Sequence, residues 1–200
     1  MRLIEIPVPS TPAAVAAREV AARYCSPALL NHSVRSWYWA LGFADALGVP
    51  SADPELLHVA ALLHDVGLVP VFDSHTAPFE TAGGHVAWVL AAGAGWPAPR
   101  RDRLVEVIER HMWREVDPGE DPDGHLLEIA TGLDISGARP DVLPADQVAE
   151  VLARHPRLTL AREFGACLTD QAARKPASQA ARLVAGGLDR RLAENPLERA

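Results

Sequence analysis

The sequence predicts a single all-α domain, and three observations carry that prediction. Side-chain caps stand directly before prolines at Thr11-Pro12, Ser26-Pro27 and Asp53-Pro54, the arrangement of a helix N-terminus. Apolar residues then recur at i, i+3 and i+4, as in Leu30, Val34, Trp37 and Leu41. No useful length of chain alternates with period two, so sheet is minor or missing.

In chain order, a first helix follows Thr11. A second starts at Ser26 and stops at Gly48-Val49-Pro50, where glycine suits a left-handed cap and proline cannot continue the helix. A third starts at Asp53 and is expected to end at Gly67. Pro70, Asp73, Ser74, His75 and Pro78 then make an ordered loop. Further helical patterns cover approximately 79–93, 101–114, 124–136, 145–154, 160–173 and 178–193. Between the second and third of these, the acidic, turn-rich run from Asp117 to Gly124 reads as a surface loop. Residues 1–200 are expected to form one domain, with its core over about 20–185 and a lead-in over 1–10.

Composition narrows the function classes. Hydrophobic residues make up 48% and charged residues 22%, values of an ordinary globular chain. A net charge of −7 argues against coating nucleic acid or a polybasic hold on a membrane surface. Of the 19 basic residues only Lys175 is lysine, and alanine is abundant; together these suit a nucleotide-composition bias and carry no mechanism. No run approaches the ~18 apolar residues of a transmembrane helix, and the N-terminus lacks a signal-like apolar stretch. Cys25 and Cys167 stand alone, without the CxxC spacing of a thiolate zinc site. A cytoplasmic protein with two inert thiols is expected.

The eight histidines are the more useful signal. His64-Asp65 closes the apolar run Val59-Ala60-Ala61-Leu62-Leu63, which belongs in a core. A carboxylate at the inner end of such a helix is costly unless paired or bound to a cation. His32 on the preceding helix and Asp134 after Thr131-Gly132 could complete a shell of two imidazoles and two carboxylates. That mixed nitrogen and oxygen set suits a first-row metal better than calcium or magnesium.

His32, His64-Asp65 and Asp134, in that order, resemble the signature of the HD-domain superfamily of metal-dependent hydrolases. Asn31-His32-Ser33-x-Arg35, Leu62-Leu63-His64-Asp65-x-Gly67-Leu68, Phe79-Glu80, Glu109-x-His111, Thr131-Gly132-x-Asp134 and Arg174-Lys175-Pro176-Ala177 are similar to its cyanamide-hydratase-like branch. The resemblance spans roughly residues 20 to 185. It implies a helical bundle with a mononuclear site, His32, His64, Asp65 and Asp134 being the ligands. The metal is expected to be one divalent transition ion: zinc first, then iron, manganese, nickel or cobalt. Phe79-Glu80 stands where two-metal members carry a further histidine, which argues against a dinuclear centre.

On this reading Asp65 and His111 are the catalytic pair, Asp65 handling water and His111 donating a proton or anchoring substrate. Arg35, Trp39, Phe79, Glu80, His85 and Trp113 are the expected substrate contacts. The partner is a small-molecule substrate rather than nucleic acid or membrane, and homo-oligomerisation stays open. Hydration of a cyanamide or nitrile leads, because the aromatic residues suit a small, weakly charged molecule. Phosphomonoester hydrolysis follows, since Arg35, Arg110 and Arg114 lie near the proposed ligands. A non-catalytic ligand-binding module and an iron oxygenase are further alternatives. His58, His125 and His155 are assigned to structure or solvent, His75 to an exposed loop, and Lys175 to the surface.

Overall fold

The computed structural model describes residues 2–198, and among these every regular element is helical. Ten α-helices run α1 Pro12–Tyr24, α2 Pro27–Leu47, α3 Pro54–Leu63, α4 Phe79–Gly93, α5 Ala98–Arg110, α6 Pro122–Ser136, α7 Ala145–Arg154, α8 Leu160–Arg174, α9 Gln179–Ala185 and α10 Leu188–Ala193. None is long and apolar enough to cross a membrane.

The expected caps form. Thr11, Ser26 and Asp53 each accept a hydrogen bond from the backbone N–H three residues on, with the proline at the first helical position. Asp121 does the same for α6 through Gly124 N–H, at 2.7 Å. Its carboxylate also takes Arg103 and Arg110, so the acidic run ends as structure rather than as free surface. Gly48 closes α2 in the left-handed region at φ 66°.

Three boundaries differ from expectation. Helix α3 stops at Leu63, before Gly67, and a 3-10 turn covers Val66–Leu68. Gly67 instead permits close packing: a Cβ there would lie 2.0 Å from the Phe79 carbonyl oxygen, so α4 sits directly on the turn after His64. Helix α5 ends at Arg110, leaving His111, Met112 and Trp113 in a turn. The pattern over 178–193 is two helices, broken where Gly187 takes φ 81°.

Helix α2 lies along α6, with α3 beside both and α4 against α5. Trp39, Phe43, Leu57, Leu63 and Leu127 belong to the main buried cluster. A second cluster, with Phe79, Phe164, Leu168, Leu188 and Leu192, lies under α8 and α10. The loop before α4 is tied down by Asp73, which accepts from Gln171, Lys175 and Arg174. Lys175 is therefore buried and paired, contrary to its expected place on the surface.

Candidate metal centre and its cavity

Each central side chain is placed by a helix end or a helix face. His32 lies in the second turn of α2, His64 caps the C-terminus of α3 with Asp65 following, and His111 caps the C-terminus of α5. His32, His64 and Asp65 are the group that could hold a metal ion, and all three are buried. His32 Nε2 lies 3.0 Å from His64 Nε2 and 3.2 Å from Asp65 Oδ2, and His64 Nε2 is 3.3 Å from the same oxygen. His111 Nε2 stands 3.7 Å from Asp65 Oδ1.

The tautomers follow from what each ring's other nitrogen touches. His64 Nδ1 lies 2.9 Å from the Ala61 carbonyl oxygen, and His111 Nδ1 contacts the Ile108 carbonyl oxygen. A carbonyl only accepts, so both Nδ1 atoms carry protons and donate. His32 Nδ1 donates to Asp134 Oδ2 at 2.7 Å. In their neutral forms the three imidazoles therefore turn bare Nε2 lone pairs toward Asp65. Neither Asp65 oxygen has a conventional hydrogen-bond partner. Lone pairs and a carboxylate gathered without a donor call for a cation, and two imidazoles plus one carboxylate suit a first-row divalent metal.

The electrostatics show the same demand for positive charge at this point. Burial alone would raise the Asp65 carboxyl, but His64 and His32 outweigh it and hold the group well below the usual carboxylate range. Burial works against protonation of His32, and the adjacent carboxylates of Asp134 and Asp65 overcome that and raise its pKa. Burial and the neighbouring His64 push His111 down to about 3, so its ring is neutral.

Asp134 lies behind His32 rather than inside the three-residue group. Arg35 grips its carboxylate with Nε to Oδ1 at 2.8 Å and a terminal nitrogen to Oδ2 at 2.7 Å, and Trp39 Nε1 donates to Oδ1 at 2.7 Å. Its backbone carbonyl accepts from Arg157 and from Asn195, the latter at 2.9 Å. Burial would raise this carboxyl, but Arg35 outweighs it and keeps the group ionised. A carboxylate on the far nitrogen of a ligating histidine fixes the ring's tautomer and direction.

Five of the six expected substrate contacts lie away from the cavity lining. Arg35 and Trp39 are buried against Asp134 and do not face open space. Phe79 is buried edge-on to His111, with ring centroids 5.9 Å apart. Glu80 is buried outside the cavity, with Oε2 unpartnered and its carboxyl raised by burial. His85 points to solvent from α4. Of the six, Trp113 alone lines the cavity, from a half-exposed position. Of the remaining histidines, His125 donates to the Val116 carbonyl, His155 stacks on Tyr38 and His58 is in the core.

The cavity over the cluster measures about 280 Å³. Its inner surface is His32, His64, Asp65 and His111. Much of its wall comes from residues outside the six expected substrate contacts: Thr131, Phe164, Leu183 and Leu188 are apolar or weakly polar, and Arg114, Glu128 and Arg191 are ionisable. Thr131 stands in the Thr131-Gly132-x-Asp134 motif, one helical turn before Asp134. The residues of α8, α9 and α10 have no local signal, because only the return of the C-terminal helices brings them there.

Comparison with known proteins agrees with this arrangement. The model of the HD domain family matches residues 29–135. Cyanamide hydratase DDI2 of Saccharomyces cerevisiae is 30% identical over 174 residues, which cover 86% of this chain and 77% of the yeast protein. Cyanamide hydratase DDI3 of the same yeast matches to the same extent.

Proposed function

Because this chain belongs to the HD-domain family, in its cyanamide-hydratase-like part, we propose that it is a metal-dependent hydratase adding water across the C≡N bond of a cyanamide or nitrile. The observation that carries this reading is the convergence of His32 Nε2, His64 Nε2 and the unbonded Asp65 carboxylate at the inner end of a cavity. His32, His64 and Asp65 would hold the ion, with Asp134 orienting His32. A divalent metal bound there supplies positive charge that acidifies water and polarises a substrate nitrogen.

The chain's own residues then handle position and protons. Asp65 is ionised, so its second oxygen can orient a water by accepting one of its protons. His111 is neutral with Nε2 bare, so it receives a proton from the attacking water rather than donating one at the outset. As the C–O bond forms, one C–N π bond breaks and charge develops on nitrogen. A buried imidazolium is unfavourable, so His111 returns its proton to that nitrogen. Tautomerisation gives the amide, or urea from cyanamide, with no other reactant.

The purified protein is expected to hold about one transition-metal ion per chain by elemental analysis. It should convert cyanamide to urea, while His111→Ala keeps the metal and loses turnover. A panel of cyanamide, small nitriles and an aryl phosphate, run with Zn, Fe and Mn, tests the chemistry. Turnover of the aryl phosphate alone overturns the proposal in favour of phosphomonoester hydrolysis, which the two arginines of the cavity would suit. A protein that cannot be loaded with metal is no enzyme of this kind.

A further inference from the structure

The cavity is larger than cyanamide needs. At water's share of about 30 Å³ per molecule, the three heavy atoms of cyanamide fill only a minor part of it, and roughly nine heavy atoms fit. What lies beyond the metal-binding group is therefore informative.

Arg191 lines the cavity from α10, half-buried. Its terminal nitrogens donate to the backbone carbonyls of Gly186 at 3.2 Å and Leu183 at 3.4 Å, which holds the guanidinium at the end of α9. Its Nε is buried and has no partner. Among the described residues no carboxylate pairs with Arg191, nor with Arg114, which lines the same cavity from an exposed turn. Most arginines near the site are committed: Arg35 to Asp134, Arg110 to Asp121, Arg157 to Glu198. The carboxyl group in the outer cavity, Glu128, is raised to about 7 by burial, with Arg139 opposing and Glu115 adding, so it does not neutralise the guanidiniums fully at neutral pH. Phe164, Leu183 and Leu188 provide apolar surface in the same space.

We propose that Arg191, supported by Arg114, selects an anionic substrate: an organic nitrile or cyanamide of about nine heavy atoms with an apolar linker and a carboxylate. The reactive group meets the metal-binding residues and the carboxylate meets the guanidinium of Arg191, which has no carboxylate partner of its own among the described residues. A charge-assisted hydrogen bond in a half-buried cavity supports a preference of about tenfold or more over a neutral analogue. This inference rests on the cavity being an active site and deepens the proposed function by naming a substrate class.

The test is calorimetric binding of 4-cyanobutanoate and its neutral partner 4-cyanobutanamide to the metal-loaded protein. The carboxylate is expected to bind at least about tenfold more tightly. Arg191→Gln should erase that difference by weakening the carboxylate about tenfold and the amide much less, with an unchanged thermal melt showing that the variant is folded. Arg191→Lys should keep part of the preference. Equal binding of the two compounds, equal weakening of both by Arg191→Gln, or no measurable binding of the carboxylate overturns the proposal. Turnover is measured separately. An Arg191-dependent preference without hydration of any nitrile sinks the hydratase reading and leaves this one standing; hydration of cyanamide with no charge preference does the reverse.

Discussion

Helix α3 carries two buried histidines in opposite situations. Neither ring nitrogen of His58 has a hydrogen-bond partner; the ring packs edge-on to Trp37, with centroids 4.8 Å apart. His64 donates from Nδ1 to the Ala61 carbonyl and turns Nε2 to His32 and Asp65. Burial is common to both, so burial is not what makes a site. The difference is where each stands on the helix. Carbonyls in a last turn lack onward helical partners, and a histidine capping that end can donate back to one of them. His111 does the same at the end of α5, to Ile108. Each helix end fixes a tautomer and aims a lone pair, whereas His58, in mid-helix, finds no free carbonyl.

Loss of His64 and loss of His58 should have opposite consequences for the metal. His64→Ala should leave the protein folded, reduce bound metal to background and lower turnover by more than about 10³-fold, since metal-activated water would be lost. His58→Phe, which keeps a ring against Trp37, should retain full metal and turnover per folded molecule. Metal analysis and cyanamide assays on both variants check this. A metal-free His58→Phe protein would show that core packing, not the lock on Nδ1, governs the centre.

His32 sharpens the contrast, because its lock is a carboxylate rather than a carbonyl. Asp134→Asn keeps the shape and an acceptor for Arg35 but weakens the hold on His32 Nδ1–H. Losing such an outer partner costs about 10–100-fold in metal affinity or activity. A chelator competition on the variant should show a drop of that size. Complete loss of metal would show instead that Asp134 binds the ion directly, as a fourth ligand.

The same contrast explains what could be read from the chain. The helices were legible where a cap and a proline stood together, because those signals act within a few residues. The inner part of the site was legible because a carboxylate closing an apolar run at His64-Asp65 is costly, and because His32 and His111 stand where the family resemblance puts site residues. The roles of Arg35 and Trp39 were not: their spacing from His32 places them on its helix, but only α6 packing alongside decides that they face Asp134 rather than substrate. Phe79 and His85 diverge for a similar reason, one turning to His111 and the other to solvent. The outer wall was the least legible. Arg191 reaches the cavity because the chain breaks at Gly186-Gly187 and is held again where Asn195 bonds the Asp134 carbonyl.

The smallest expected effect concerns His58 itself. Burial, then Arg18, lowers its pKa to about 4, with Glu55 opposing, from the ordinary 6.5. Between those values the unfolded chain binds a proton that the folded chain refuses. Stability from this group is therefore complete above about pH 6.5 and declines as the pH falls toward 4. From pH 7 to 5.5 the loss is about 1 kcal/mol, or roughly 2–4 °C in Tm for a chain of this size. Other titrating groups contribute too, but they are shared with His58→Phe. Metal-loaded wild type and variant, melted at both pH values, should therefore differ in slope, the wild type falling further by that amount. A parallel fall would mean that the folded protein protonates His58 as readily as the unfolded chain does. Burial against Trp37 would then fix where the His58 ring sits without changing its readiness to hold a proton.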